Sequence, residues 1–397
     1  MLTSSTMLTI NSSTMHTTSP STPIRRTQGK SLRINKKALI FSLAYHPVVG
    51  GAEIAVKEIT DRISDIQFDI ITFRFDKNHR AIEKFGNCTV YRISTPKNFF
   101  PFKALFIAIK LHKTHSYDFI WAIMANWAGL AALFFKLRFP EVSYILSLQE
   151  GDSLQYIKKK VWFIYPLFKK IFTKADKIQA ISNFLAQWAV QMGYKGDLAV
   201  IPNGVDITKF NNVQSRALDK DNVVLITTSR LVGKNAVGDI IDAMKFLPES
   251  VSLKILGIGP LERVLKSRVK SLKLENRVEF LGFIPTQEIP AYLCQADIFI
   301  RPSLSEGMGN SFIEAMAASL PVIATPVGGI VDFLKDGETG LFCEVNNPES
   351  IAEKVMEYIN NPELASQVVK NARKMVEEKY NWNLIANEMK TRIFDKV

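Results

Sequence analysis

From Lys37 onward the chain repeats one pattern, a short run of β-branched or aromatic residues followed by a segment of helical periodicity, and it runs through the whole series twice. ALIFSLAY, FDIITF, TVYRIS, DFIWAIMA, VSYILSL, KIQAIS and LAVIP carry the first series, with AEIAVKEITDRI as its first helix. Runs this apolar suit strands buried on both faces, so the alternation predicts a parallel sheet covered by helices. After the turn Pro202-Asn203-Gly204 and a polar stretch from Asn211 to Asn222 the pattern restarts with VVLITTS, LKILGIG, VEFLG, DIFIRPS, PVIAT and GLFCEV. The expected fold is α/β, with two doubly wound Rossmann-like domains facing across a cleft, residues 35–205 and 222–380, and a linker at 206–221. The last segment, 381–397, reads as one more helix, able to return to the first domain. A length of 397 residues exceeds a usual single domain and fits two.

Several stretches read as punctuation or surface. Residues 1–34, rich in Ser and Thr and without an apolar core segment, read as a disordered tail and not a signal peptide. The longest apolar run, Phe119 to Phe135, is at the lower edge of membrane-spanning length, but a strand FIWAIMA followed by an amphipathic helix WAGLAALFFKL explains it better. Asn347-Pro348-Glu349 and Asn361-Pro362-Glu363 each open a helix with a cap, a proline and an acid. Cys88, Cys294 and Cys343 are odd in number and far apart, without metal-ligand spacing, and suit a reducing cytosol.

Charge is unevenly spread. Residues 1–215 hold 28 Lys and Arg against 14 Asp and Glu, a net +14, whereas residues 216–397 hold 22 against 24, a net −2. An anionic partner for the first half alone is implied, either nucleic acid or a membrane surface. No helix-turn-helix, zinc or RNP-type signature accompanies the charge, so nucleic acid is not the expected partner. Residues 156–174, YIKKKVWFIYPLFKKIFTK, interleave six lysines with aromatics such as Trp162 and Phe172. That composition suits an interfacial element on anionic lipid, and equally an ordinary Rossmann helix with a lysine-rich outer face. The resulting expectation is a cytoplasmic protein, peripheral at the inner face of the plasma membrane.

In open α/β sheets ligands sit beyond the carboxyl ends of the strands, so the loops there are the candidates for chemistry. Gly50 and Gly51, beside His46, precede a helix whose positive dipole end and free N–H groups receive anions. Arg230 and Lys234, four apart after a strand, offer a bidentate fork and a point charge to one diphosphate. Gly257-Ile258-Gly259-Pro260 forms a turn after the next strand. In Glu306-GMGNSFI-Glu314, Gly307, Gly309 and the N–H groups after Asn310 form a second anion-receptive helix start with two carboxylates beside it. Two anion sites and two carboxylates in one domain suit a ligand bearing a diphosphate and several hydroxyls, as a nucleotide sugar does. A local alternative exists, since Ser311 to Glu314 also fits a capping box in which the Glu merely serves its own helix.

This ordered set, Arg230 and Lys234, the GIGP turn, the E-x7-E of Glu306 and Glu314, and AMAASLPVIATPVGGIVDFLKDGETGLF, resembles glycosyltransferase family 4, of the two-Rossmann-domain GT-B fold. The resemblance spans nearly the whole chain from about residue 36 and is most specific between 223 and 345. It implies retaining, metal-independent transfer from a nucleotide diphosphate sugar, and the expected acceptor is a lipid-linked or cell-surface glycan precursor. It further implies that Glu314 binds the ribose, Glu306 a donor-sugar hydroxyl, and Arg230 and Lys234 the diphosphate. Gly51 would approach that diphosphate from the first domain, the backbone of Gly309, Asn310 and Ser311 would complete the cradle, and Phe283 and Ile284 would bracket the base.

Two departures stand out. Many relatives carry a His after the strand that here reads VSYILSL, but this chain continues Gln149-Glu150-Gly151-Asp152; either Glu150 or Asp152 is expected to face the acceptor or a sugar, or Gly-Asp simply caps the next helix. Lys234 is followed by Asn235 where relatives often have Gly. Asp219-Lys220-Asp221 matches the D-x-D of metal-dependent transferases of another fold but lies in the polar linker. A nicotinamide dehydrogenase needs G-x-G-x-x-G, and the nearest match, from Gly257 to Glu262, lacks the third glycine. A basic nucleic-acid-binding protein or a non-catalytic scaffold on the same fold is the alternative.

Overall fold

In the computed structural model, which describes residues 36–48, 50–210 and 219–397, the two series of strands form two separate sheets. The Ser/Thr-rich tail and the middle of the expected linker, 211–218, fall outside the described residues. The first sheet contains β1 (Lys36–Phe41), β2 (Ile66–Phe73), β3 (Ile82–Phe85), β4 (Cys88–Ile93), β5 (Phe119–Ile123), β6 (Ser143–Leu148), β7 (Lys177–Ala180) and β8 (Asp197–Val200), in the order β3-β4-β2-β1-β5-β6-β7-β8. The second contains β9 (Val223–Thr228), β10 (Val251–Leu256), β11 (Val278–Gly282), β12 (Ile298–Arg301), β13 (Val322–Ala324) and β14 (Leu341–Phe342), in the order β11-β10-β9-β12-β13-β14. Both sheets belong to one compact unit.

Among the described residues every strand pairing is parallel but one. The exception is β3, which pairs antiparallel with β4 across the two-residue loop Gly86-Asn87 and forms the outer edge of the first sheet. The alternation pattern passes over it because IEKF is half-exposed rather than apolar. The Gly-Asn dipeptide between short runs is the signal that marks such a hairpin. The long apolar run divides as its sequence suggests, into β5 and the helix Trp127–Arg138, with the Asn126 side chain accepting from the Ala128 N–H at 2.7 Å. No described helix is long and apolar enough to cross a membrane. Asn347 and Asn361 cap their helices by accepting from Ser350 and Leu364, each at 3.1 Å, contacts worth about 1 kcal/mol apiece.

Successive side chains of a strand point to opposite faces, and β1 sorts its neighbours accordingly. Leu39 and Phe41 join a cluster with the helices Phe100–His115, Trp127–Arg138 and Tyr165–Thr173. These three lie side by side, the Phe102 ring stacking on Phe134 at 5.6 Å and Ile171 fitting against Gly129. Ala38 and Ile40 join the opposite cluster with the helix Gly51–Arg62 and the end of the chain. There the Phe394 ring packs at 6.1, 5.3 and 5.1 Å from Phe68, Phe119 and Trp121, and the Lys36 ammonium donates to the carbonyls of Phe394 and Val397 at 2.7 Å. The C-terminal segment thus packs on the first sheet from far along the chain, Lys36 and Phe394 being 358 residues apart.

In each sheet the strand order reverses once, between β1 and β5 and between β9 and β12. At such a reversal the loops beside it leave toward opposite faces and open a crevice beyond the carboxyl ends of the strands. His46 to Gly51 follow β1, Lys234 follows β9 and Glu306 follows β12, so both crevices are lined by loops that carry candidate residues.

Candidate active site

One wall of the cleft is built around Arg301, the last residue of β12. Its guanidinium donates to Glu306 Oε2 at 2.6 Å, to Ser311 Oγ at 2.7 Å and to Asn235 Oδ1 at 3.1 Å, and it lies over the Phe312 ring. Both partners of the Arg301–Glu306 pair are almost fully enclosed, so the charges are strongly coupled and hold the loop in one geometry. Asn235, itself buried, also donates to the Arg230 carbonyl at 2.7 Å, which ties the loop after β9 to the loop after β12. This Asn is a strut, and the left-handed position of the loop falls on Ala236, at φ 48°.

Glu306 Oε1 accepts from the N–H of Gly307 at 3.2 Å. The helix Asn310–Ala317 starts from Gly309 at φ 88°, with no side-chain cap. The alternative capping box does not form: the Ser311 hydroxyl lies inside the helix and is taken by Arg301, and the Glu314 carboxylate makes no hydrogen bond among the described residues but lines the cleft.

The facing wall comes from the first domain. Glu150, just past β6, is buried; its Oε1 accepts from the Ala125 N–H at 2.5 Å, and its Oε2 has no partner among the described residues. Burial pushes its carboxyl up to about 7 against the opposing pull of the Ala125 N–H. Asp152 Oδ1 pairs with the Lys234 ammonium at 3.0 Å across the cleft. The cap of the next helix is Ser153, whose hydroxyl accepts from Tyr156 N–H at 3.3 Å, so Gly-Asp is not a cap. Only glycine fits at 307, where a Cβ would strike the Glu150 carbonyl, whereas a Cβ at Gly151 would stand 2.9 Å from Lys234 Nζ, the movable end of a lysine, and 3.3 Å from Glu306 Oε1.

Further along the cleft the sequence neighbours of the Gly50-Gly51 pair meet the second domain. A Cβ at Gly51 would lie 3.3 Å from the Asn310 side chain. Asn310 Oδ1 accepts from Asn203 Nδ2 at 3.1 Å, and the same amide donates to Gln149 Oε1 at 3.1 Å. The Pro202-Asn203-Gly204 turn between the domains is therefore part of the cleft.

Two cavities flank this contact. One, of about 400 Å³, is lined by His46 and Lys57 of the first domain, Lys209 of the connecting segment, and Phe283, Asn310 and Glu314 of the second. Burial pushes the Glu314 carboxyl up to about 7, although the charges of Lys209 and Arg301 draw it down. The other, of about 530 Å³, has Glu150, Asp152 and Lys234 at one end and a largely apolar wall that includes Trp127, Leu130 and Phe163. The segment Glu306 to Glu314 spans the two, with Glu306 beside Gly151 and Lys234, and Asn310 and Glu314 on the wall of the smaller cavity.

Lys234, Glu306, Asp152 and Glu150 are thus brought together, and Gly51, Gly309, Asn310, Ser311 and Glu314 continue the same surface. Arg230 stands apart: it is exposed, and its guanidinium has no hydrogen bond or ion pair among the described residues. Arg301, Asn235, Asn203 and Gln149 escape sequence reasoning, because a single Arg, Asn or Gln at a strand end or turn has no spacing to mark it. Asp219 and Asp221 form a local turn, the Asp221 N–H donating to Asp219 Oδ1 at 3.1 Å. Among the described residues no group of three or more His, Cys, Asp or Glu is placed to hold a metal ion.

Two doubly wound sheets with their crevices opposed define the GT-B class. Anabaena HepE, solved in complex with UDP-glucose, has the same fold, with a TM-score of 0.74 over 91% of this chain and 100% of that one at 20% identity. Residues 49–209 match the family Glycosyltransferase Family 4, and residues 208–375 match Glycosyl transferases group 1. An uncharacterized glycosyltransferase of Methanocaldococcus jannaschii is 29% identical over 85% of this chain and 92% of its own length. The alpha-monoglucosyldiacylglycerol synthase of Acholeplasma laidlawii is 29% identical over 60% of this chain and 65% of its own length. The chain belongs to the GT-B glycosyltransferases of family 4 type.

Proposed function

We propose that this enzyme transfers a sugar, with retention of configuration and without a bound metal, from a nucleotide diphosphate sugar to a lipid-linked or cell-surface glycan precursor at the inner face of the plasma membrane. The observation that carries this is the pair of unlike cavities joined by the segment Glu306 to Glu314. The smaller presents Glu314 with free carboxylate oxygens, suited to a ribose diol, and Phe283 at its rim, suited to a base. The larger combines an apolar wall with Glu150 and Asp152, suited to an acceptor hydroxyl on an amphiphilic molecule. That Acholeplasma laidlawii relative, named for a glycolipid product, supports an acceptor of this kind.

In this assignment the diphosphate lies between Gly51 and the backbone of Gly309, Asn310 and Ser311, and Glu306, held by Arg301, receives a hydroxyl of the donor sugar. The acceptor oxygen attacks the anomeric carbon from the face that the diphosphate leaves, and the acceptor proton passes to a departing phosphate oxygen. The protein then chiefly stabilises charge on the leaving group. Lys234 is positioned for this once the diphosphate displaces Asp152 from its ammonium, and Arg230, whose guanidinium has no partner to give up among the described residues, can join it from the surface.

The purified protein, incubated with UDP-, GDP- and ADP-sugars and followed by NMR, should consume one of them and release the α-configured sugar from an α-configured donor. An inverted anomer as first product would overturn retention. No turnover of any donor together with salt-sensitive oligonucleotide binding would favour a nucleic-acid-binding or scaffold protein.

A further inference from the structure

Asp152 stands between two groups that compete for it. Its Oδ1 lies 3.0 Å from the Lys234 ammonium, and among the described residues Lys234 is its only ion-pair or hydrogen-bond partner. The same side chain lines the 530 Å³ cavity beside Glu150, where an acceptor hydroxyl needs an oxygen to receive its hydrogen bond. An ionised carboxylate makes such a bond stronger, and a carboxylate whose charge is spent on an ammonium makes it weaker.

The backbone at this point is not free to follow either partner. The Gly151 carbonyl accepts from the Ser305 hydroxyl at 3.3 Å, and Gly307 packs so closely on the Glu150 carbonyl that a Cβ there would stand 2.2 Å from its oxygen. Any exchange of partners is therefore a rotation of the Asp152 side chain. That side chain is 54% exposed and that of Lys234 32%, so the pair is hydrated and weak, and a diphosphate with two charged phosphoryl groups can displace a single carboxylate. The neighbouring pair behaves differently: the Arg301 and Glu306 side chains are 11% and 9% exposed, and parting them would strand a buried charge. Of these two ion pairs, one holds the loop and the other can yield to a ligand.

We infer that Asp152 is a placeholder for the donor diphosphate. Before the donor binds it neutralises Lys234. When the diphosphate takes Lys234, Asp152 turns into the 530 Å³ cavity and accepts a hydrogen bond from the acceptor hydroxyl, so the acceptor site is completed only in the donor complex. Asp152 takes no proton in this role, the acceptor proton passing to the leaving phosphate. The inference rests on the proposed transfer reaction and adds the residue that links its two sites.

The test compares wild type with Asp152→Asn, which keeps the shape of the aspartate without its charge. Calorimetric titration with UDP, GDP and ADP identifies the diphosphate that wild type binds most tightly. Asp152→Asn should bind that diphosphate about five- to tenfold more tightly, the scale of releasing a hydrated ion pair. In a Lys234→Ala background the same substitution should change affinity by about twofold or less, because no ammonium is left to compete for. With water as acceptor, hydrolysis of the matching nucleotide sugar by Asp152→Asn should show a lower KM and a turnover about tenfold lower, the effect of losing a charge-assisted hydrogen bond to the attacking oxygen. A merely structural role would not raise affinity and lower turnover together. Unchanged or weaker binding by Asp152→Asn, a gain that persists without Lys234, or tighter binding with undiminished turnover would overturn the inference. The reading beneath it fails by different results: no binding of any of the three diphosphates, or equal binding by wild type and Lys234→Ala, would remove the donor assignment of Lys234 and the inference with it.

Discussion

Replacing Glu150 by Gln isolates the cost of a buried carboxylate. Its Oε1 is held by the Ala125 N–H, while Oε2 is buried with no partner among the described residues, so the ionised form lacks both water and a counter-charge. The folded carboxyl holds its proton up to about 7, against an ordinary value of 4.5 that the unfolded chain recovers. The folded state therefore binds an extra proton between those values, and stability falls as pH rises through that window. The gap corresponds to about 3 kcal/mol, developed in full above pH 7 and absent below 4.5. In Glu150→Gln the amide oxygen keeps the Ala125 bond and the amide nitrogen takes the place of a protonated oxygen, so the variant mimics the neutral acid at every pH. Urea unfolding of both proteins, followed by tryptophan fluorescence, should give matching stabilities near pH 4 and a variant more stable by up to about 3 kcal/mol near pH 8. A variant destabilised by the same amount at both pH values, or one whose pH dependence matches wild type, would show that Glu150 is ionised comfortably and refute the reasoning.

Lys234→Ala should cut turnover by about 10²–10³-fold, the scale of removing one group that stabilises developing charge, with an unchanged circular dichroism spectrum. The fold survives because the Lys234–Asp152 pair is half-exposed and worth at most about 1 kcal/mol; near-wild-type turnover would remove Lys234 from the site. Arg301→Ala should destabilise by about 3–5 kcal/mol, since it strands the buried Glu306 carboxylate, and adding Glu306→Ala should recover part of that loss. A strictly additive double-mutant cycle would show that the two side chains do not act as a pair.

The alternating runs are legible as strands because a parallel sheet buries both faces, so its strands must be apolar throughout; β3 is missed for the same reason, being an edge with two exposed sides. The carboxylates Glu306 and Glu314 are legible because glycines and a helix start beside them leave few other uses. The helix start itself is misread by local rules. Ser311 and Glu314 have the spacing of a capping box, yet Arg301, ten residues earlier, takes the serine hydroxyl and leaves Glu314 facing the cleft. Glu150 and Asp152 are indistinguishable in sequence, but they separate in the structure, one buried against Ala125 and the other paired with Lys234.

By itself the sequence determined what local chemistry and periodicity can determine: two series of strands, the loops that follow them, the glycines that let backbones approach, and a first half more basic than the second. Only the tertiary structure decided which loops meet, because strand order and the opposition of two crevices depend on contacts between residues far apart in the chain. Gly51 reaches Asn310 and Lys234 reaches Asp152 across such distances. The same holds for burial: a glutamate's sequence neighbours do not reveal whether water can reach it, and for Glu150 it is exclusion from water that sets the chemistry.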